Sequence, residues 1–155
     1  MKAQRWDIFC KVIDNFGDIG VCWRLARQLA REHHIQPRLW VDDLKVAAKL
    51  LPSHGLGLDR QTIEKVEIRE WPKAEDVFED VSPAEVVIEA FACELPSAYI
   101  RQMQASNPVW INLEYLSAEG WIHDFHARPS IHPATGLQKT CFFPGFNAHT
   151  GGLLR

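Results

Sequence analysis

The sequence predicts an α/β fold, a Rossmann-like and mostly parallel sheet with helices on both faces. Three features of the chain support that class. Short apolar runs of strand character alternate with stretches of helical spacing along the chain. The first run, from Trp6 to Ile13, reads as a buried central strand. It passes through Asp14-Asn15-Phe16-Gly17-Asp18-Ile19-Gly20 into a helix. Strand, glycine turn and helix is the order in which open α/β sheets place ligands, at the carboxyl ends of the strands. With 155 residues, a single domain over 1–155 is the simplest organisation.

The helix after the turn is expected from Ile19 to His33, with Val21, Leu25 and Leu29 on one stripe and Cys22, Ala26 and Ala30 beside it. Arg24, Arg27 and Arg31 fall opposite and read as a solvated face. Pro37 marks the region beyond the helix end, and Arg38–Val41 is then a short second strand. Asp42-Asp43 is placed to cap a helix over Leu44–Leu51, and Pro52 to Gly57 is loop. Val66 to Trp71 alternates as a half-buried strand, and the acidic stretch Glu75 to Pro83 is irregular or a short surface helix. Glu85–Phe91 is a buried strand. Pro96 opens a helix through Gln104. Val109–Leu113 is a strand leading to Glu114 and Tyr115; Gly120 to Lys139, rich in His, Pro and Gly, reads as a long loop before a last apolar segment, Thr140–Phe146. The strand ends at Asp14, Asp42, Ala90-Phe91 and Glu114 should converge on one rim.

Composition excludes several classes. A formal net charge of -3 argues against a general hold on nucleic acid, which needs many phosphate-facing Lys and Arg. No apolar run approaches the length of a membrane span, and the amino terminus has no secretory signal pattern. Cys10, Cys22, Cys93 and Cys141 are scattered without a Cys-x-x-Cys pair, which suits reduced structural thiols and a cytoplasmic protein. His123 and His126 are three apart, but no cysteine or carboxylate pattern completes a metal site, so no metal is expected.

The turn itself carries the chemistry. A dinucleotide fingerprint needs Gly-x-Gly-x-x-Gly; here only Gly17 and Gly20 are present, and Asp14 and Asp18 stand where phosphate would sit. A carboxylate about 4 Å from a phosphate charge costs about 4 kcal/mol at an effective dielectric of about 20. The same pair favours a cation such as a guanidinium, held by acceptor-only oxygens. Two structural readings stand beside this one: Asp18 as a helix N-cap and Asp14 in an Asx-turn. Spacing leaves all of them open. Glu89, inside a strand, is either a buried paired carboxylate or a rim group.

Trp6–Val21 with Trp23–Arg27, Leu39–Asp43, Val86–Pro96, Trp110–Glu119, Phe143–Phe146 and Gly151–Arg155 together resemble the bacterial elongation factor P arginine rhamnosyltransferases, the EarP family. The resemblance runs through the chain in order. It implies the N-terminal, acceptor-side half of a GT-B glycosyltransferase, with the C-terminal donor-binding domain absent from this chain. It also implies inverting transfer of L-rhamnose from dTDP-β-L-rhamnose to a loop arginine in the N-terminal domain of elongation factor P (EF-P). On that resemblance Asp18 falls on the general base and Asp14 on the second family aspartate. Asn15, Phe16 and Gly17, with Glu114 and Tyr115, lie in supporting or acceptor-binding motifs. No cofactor is implied. The chain is expected to bind EF-P weakly and to transfer nothing unaided. Two competing readings are a Rossmann-type nucleotide or S-adenosylmethionine-dependent enzyme domain and a non-catalytic EF-P docking module.

Overall fold

The computed structural model describes residues 2–13, 16–51 and 60–154. Strand β1 (Arg5–Cys10) is followed by α1 (Gly17–Glu32), β2 (Gln36–Val41), α2 (Leu44–Leu50), β3 (Arg60–Ile63), β4 (Val66–Glu70), β5 (Val86–Ala90), α3 (Ser97–Ser106), β6 (Val109–Leu113), β7 (Pro129–Ile131) and β8 (Gln138–Phe142). Short 3₁₀ turns occupy Glu75–Asp80 and Gly120–Asp124. The strands form one sheet in the order β3-β4-β2-β1-β5-β6-β8-β7. Pairing is parallel throughout the middle, while at the two edges β3 on β4 and β7 on β8 run antiparallel. The Rossmann-like α/β expectation holds.

Alternation along each strand splits the core into two layers. Ile8, Cys10, Leu39, Val41, Ile68 and Ile88 pack with Ile19, Cys22, Ala26 and Leu29 of α1 on one face. Phe9, Trp40, Val87 and Trp110 pack with Ala98, Tyr99 and Met103 of α3 and with Phe78 on the other. Phe9 lies 5.7 Å from Trp40 and 4.7 Å from Tyr99, ring centre to ring centre. Side chains of this size each contribute about 1.5–3 kcal/mol when fully buried. Burial on both faces holds the central strands flat against their neighbours, and so fixes where their carboxyl ends emerge.

Several expectations are corrected. The first strand ends at Cys10 rather than Ile13, and α1 begins at Gly17, two residues before Ile19. Its buried stripe runs through Asp18, Cys22, Ala26 and Leu29, rotated from the expected one, with Val21 and Leu25 only half-buried. The arginine row is not simply solvated: Arg27 Nε and Arg31 Nη2 reach Glu64 Oε2 at 2.7 and 2.6 Å. Pro37 lies within β2 instead of before it. There it faces Trp6 of β1, while pairing to β4 begins only at Arg38, so its missing N–H costs no ladder bond on that side. The region 120–139 holds a 3₁₀ turn and an edge hairpin instead of a long loop, and β3 was not expected at all. The expected loop from Pro52 to Gly57 lies outside the described residues. Asp43 does cap α2, accepting from Lys45 N and Val46 N at 3.0 Å, whereas Asp42 accepts from Val12 N at 2.8 Å.

Candidate functional site

Strand order reverses direction between β1 and β5: the chain moves from β1 out through β2 and β4, then returns to β5 and continues through β6. Open sheets bind ligands outside the carboxyl ends of the strands at such a reversal. Here α1 follows β1, Phe91 follows β5, and Glu114 and Tyr115 follow β6, so all three reach the same rim. A second, roomier hollow of about 760 Å³ lies at the opposite ends of the strands among Lys2, Arg5, His34 and Lys65. Nothing catalytic in the sequence points there.

Asp18 sits in the first turn of α1, where an acidic side chain also suits the helix dipole. It is not the N-cap. That position is Phe16, which makes no side-chain capping bond. The Asp18 carboxylate turns back across the rim instead: Oδ2 accepts from Ile13 N at 3.2 Å and Oδ1 accepts from the Tyr115 hydroxyl at 2.7 Å. Asp18 is only 1% exposed, while Tyr115 is 51% exposed. The carboxylate is thus oriented at both oxygens and covered from solvent. The Tyr115 ring lies flat on Phe91, with ring centres 4.0 Å apart and planes 6° apart.

Glu114 is half-buried, and its Oε1 accepts from Asn112 Nδ2 at 2.5 Å. Phe91, Glu114 and Tyr115 together with Val21, Arg24 and Leu154 line a small, largely apolar cavity of about 110 Å³. Arg24 Nη2 also donates to Leu154 O at 3.3 Å, tying α1 to the C-terminal segment. Phe16 and Gly17 are exposed at the mouth of the turn. Asp14 and Asn15 lie outside the described residues. Of the sequence-predicted site residues, the fold therefore brings Asp18, Glu114 and Tyr115 to one rim, with Phe16 and Gly17 beside them.

Glu89 resolves as a buried paired carboxylate. It accepts from Glu94 N at 2.9 Å, Trp110 Nε1 at 3.1 Å and Lys139 Nζ at 3.0 Å, on the face of the sheet that carries α3. Cys10, Cys22, Cys93 and Cys141 are free thiols, the first three buried. Burial, followed by the nearby Glu89 charge, pushes the Cys93 thiol up to about 12, so it stays protonated and inert. Among the described residues no group of three or more His, Cys, Asp or Glu is placed to hold a metal, and no helix is long and apolar enough to cross a membrane. Sequence reasoning passed over Asn112 and Phe91 as single residues. The signal for Asn112 was there, an amide inside the apolar run Val109–Leu113.

Fold and rim together define a Rossmann-like α/β domain with an oriented carboxylate at its topological switch point. The family model described as "Elongation-Factor P (EF-P) rhamnosyltransferase EarP" matches residues 6–155. A protein-arginine rhamnosyltransferase of Pseudomonas putida is 54% identical over 157 residues, covering 100% of this chain and 40% of the relative. Proteins of the same name from Shewanella oneidensis and Neisseria meningitidis are 46% and 45% identical, covering 99% and 96% of this chain and 40% and 38% of themselves. The chain belongs to the EarP family, and it spans about 40% of the length of the curated relatives it matches.

Proposed function

We propose that this chain is the acceptor-side domain of an inverting protein-arginine rhamnosyltransferase of GT-B type, acting on a loop arginine of EF-P with dTDP-β-L-rhamnose as donor. The observation that carries the reading is the Asp18 carboxylate, held at both oxygens by Ile13 N and the Tyr115 hydroxyl at the switch point of the sheet. Family membership supplies the class of reaction.

The acceptor poses a specific problem. At pH 7 roughly one arginine in a million is neutral, and the guanidinium lone pairs are delocalised over the fork. In the reaction as we write it, a guanidinium nitrogen attacks the anomeric carbon of rhamnose, a C–N bond forms, and the C–O bond to the nucleotide breaks on the opposite face. The nucleotide leaves with the bonding pair, and Asp18 takes the proton from the attacking nitrogen. Asp14 grips the remaining fork through charge-assisted hydrogen bonds, about 1.5–3 kcal/mol each. Glu114, fixed by Asn112 on the same rim, adds a second negative group that favours a cationic side chain. No metal or cofactor enters these steps. Asp18 is covered here, so the acceptor must enter beside it at the turn, where Phe16 and Gly17 are exposed. The donor is held by the portion of the family's length that this chain does not span. The fold supports a nucleotide-binding enzyme less well, because the helix start carries Asp18 rather than a glycine cradle.

The test joins residues 1–155 to the remainder of the Pseudomonas putida relative and measures rhamnosyl transfer to EF-P. Asp18→Asn should lower kcat about 10²–10⁴-fold, the usual contribution of a general base. Near-normal turnover in a folded Asp18→Asn enzyme removes Asp18 as the base. The 155-residue chain by itself should bind EF-P and form no product. Product from the purified chain would overturn the placement of the donor site.

A further inference from the structure

We propose that Phe91 is a positioning residue for Asp18, acting through Tyr115, and that the left-handed turn after β5 is built to hold it. The proposal rests on the reading of Asp18 as the base. Three non-glycine residues in this turn have positive φ: Phe91 at 56°, Ala92 at 52° and Glu94 at 60°. L side chains crowd the backbone in that region, so a cluster of such residues persists only where the surroundings over-determine it. They do so here. Phe91 N donates to Leu113 O at 2.7 Å, Ala92 N to Asn112 Oδ1 at 2.9 Å, and Glu94 N to Glu89 Oε1 at 2.9 Å. Asn112 and Glu89 are both buried, so two polar side chains inside the sheet are committed to the backbone of a single turn.

A plain connection from β5 to α3 has no need of this arrangement. Its product is the placement of one ring. Phe91 leaves β5 and lies face to face with Tyr115 at the end of β6, and the Tyr115 hydroxyl donates to Asp18 Oδ1. Asn112 closes the unit, because its Nδ2 donates to Glu114 Oε1 while its Oδ1 takes Ala92 N. The turn after β5, the end of β6 and the first turn of α1 are thus linked by ring stacking and hydrogen bonds. Tyr115 is half-exposed, and the stack restrains the ring against rotation away from the carboxylate. Proton abstraction depends on the carboxylate facing the attacking nitrogen, and misplacement by about 1 Å can cost about a hundredfold in rate.

Two measurements test this. In the isotope-labelled 155-residue chain, Phe91→Leu should shift the NMR signals of the Tyr115 ring and the Asp18 carboxyl carbon, with Ile68 and Ala26 methyl signals unmoved, and Phe91→Tyr should restore them. An unmoved Asp18 signal in Phe91→Leu overturns the proposal. In the joined enzyme, Phe91→Leu should lower kcat about ten- to a hundredfold with the KM for EF-P within about twofold. Phe91→Tyr should recover the rate. Tyr115→Phe keeps the stack and deletes the hydroxyl, and should lower kcat similarly; a normal kcat there overturns the proposal even where Phe91→Leu cannot be purified. Normal turnover in Asp18→Asn would instead remove the base assignment, while the NMR shifts still report whether Phe91 orders Asp18.

Discussion

Removing the Asp7 carboxylate should be among the most damaging single changes to the stability of this domain. Asp7, on β1, is fully buried. It accepts from Arg38 Nε at 2.5 Å, Arg38 Nη2 at 2.6 Å, Ala84 N at 3.1 Å and Trp40 Nε1 at 3.3 Å, and also from the Tyr99 hydroxyl. One carboxylate thereby joins β1, β2, α3 and the segment ahead of β5. Burial and then the Asp7 charge push the Tyr99 phenol well above its ordinary value, so it stays a donor. Asp7→Ala leaves the buried Arg38 charge without its partner, which typically costs about 3–5 kcal/mol. Three further donors lose their acceptor at the same time, which places the loss toward the upper end. Against a total of about 5–15 kcal/mol for a domain, that is a large fraction. With a urea m-value of about 2 kcal/mol/M, the unfolding midpoint should fall by about 2 M. The assay is urea denaturation followed by tryptophan fluorescence and by far-UV circular dichroism, with coincidence of the two transitions checked. A control, Asp7→Leu with Arg38→Met, removes both charges and should recover the share of the loss that comes from the unpaired Arg38 charge, while the share from the three donors left without an acceptor remains. A midpoint shift below about 0.5 M in Asp7→Ala, at unchanged m, would mean that the buried Asp7 network contributes little to stability.

Alkaline pH should destabilise the chain through Cys93. Its folded value is raised to about 12, so above the unfolded value of about 8.5 the unfolded state loses the proton first and binds fewer protons than the folded state. Stability therefore falls as pH rises between those limits, by about 1.4 kcal/mol at pH 9.5, and urea midpoints at pH 7.5 and 9.5 for Cys93→Ala should show a correspondingly shallower decline. Asp43→Ala should cost about 1 kcal/mol, seen as a lower thermal midpoint, since it removes the acceptor for Lys45 N and Val46 N at the start of α2. Gly151→Ala should cost about 1–3 kcal/mol by the same assay. A Cβ there would meet the Phe142 ring at 2.2 Å, and that ring already packs edge-on against His126.

Much of this protein was legible before any coordinate. Strands β1, β5 and β6 are apolar runs too short for helices and bounded by turn residues, and their alternation with helical spacing requires parallel pairing. Asp18 could be singled out because a carboxylate at a helix start after a central strand is physically at odds with a phosphate cradle. The family membership was also carried by local stretches of sequence. Edge strands β3 and β7 gain their identity from one neighbour and bear no apolar alternation of their own, and Pro129 argues against a strand until the unpaired edge is seen.

Chain order alone brings these residue types to the rim, because each follows the end of a strand. What they do to one another is set by contacts between distant parts of the chain. Asp18 and Tyr115 are 97 residues apart and share a hydrogen bond, as Asp7 and Tyr99 do across 92. Local pattern encodes period, propensity and capping, all of which act over a few residues. Whether a carboxylate caps its own helix or turns toward a distant hydroxyl depends on where the sheet brings the other strand, and that is settled by packing of the whole domain.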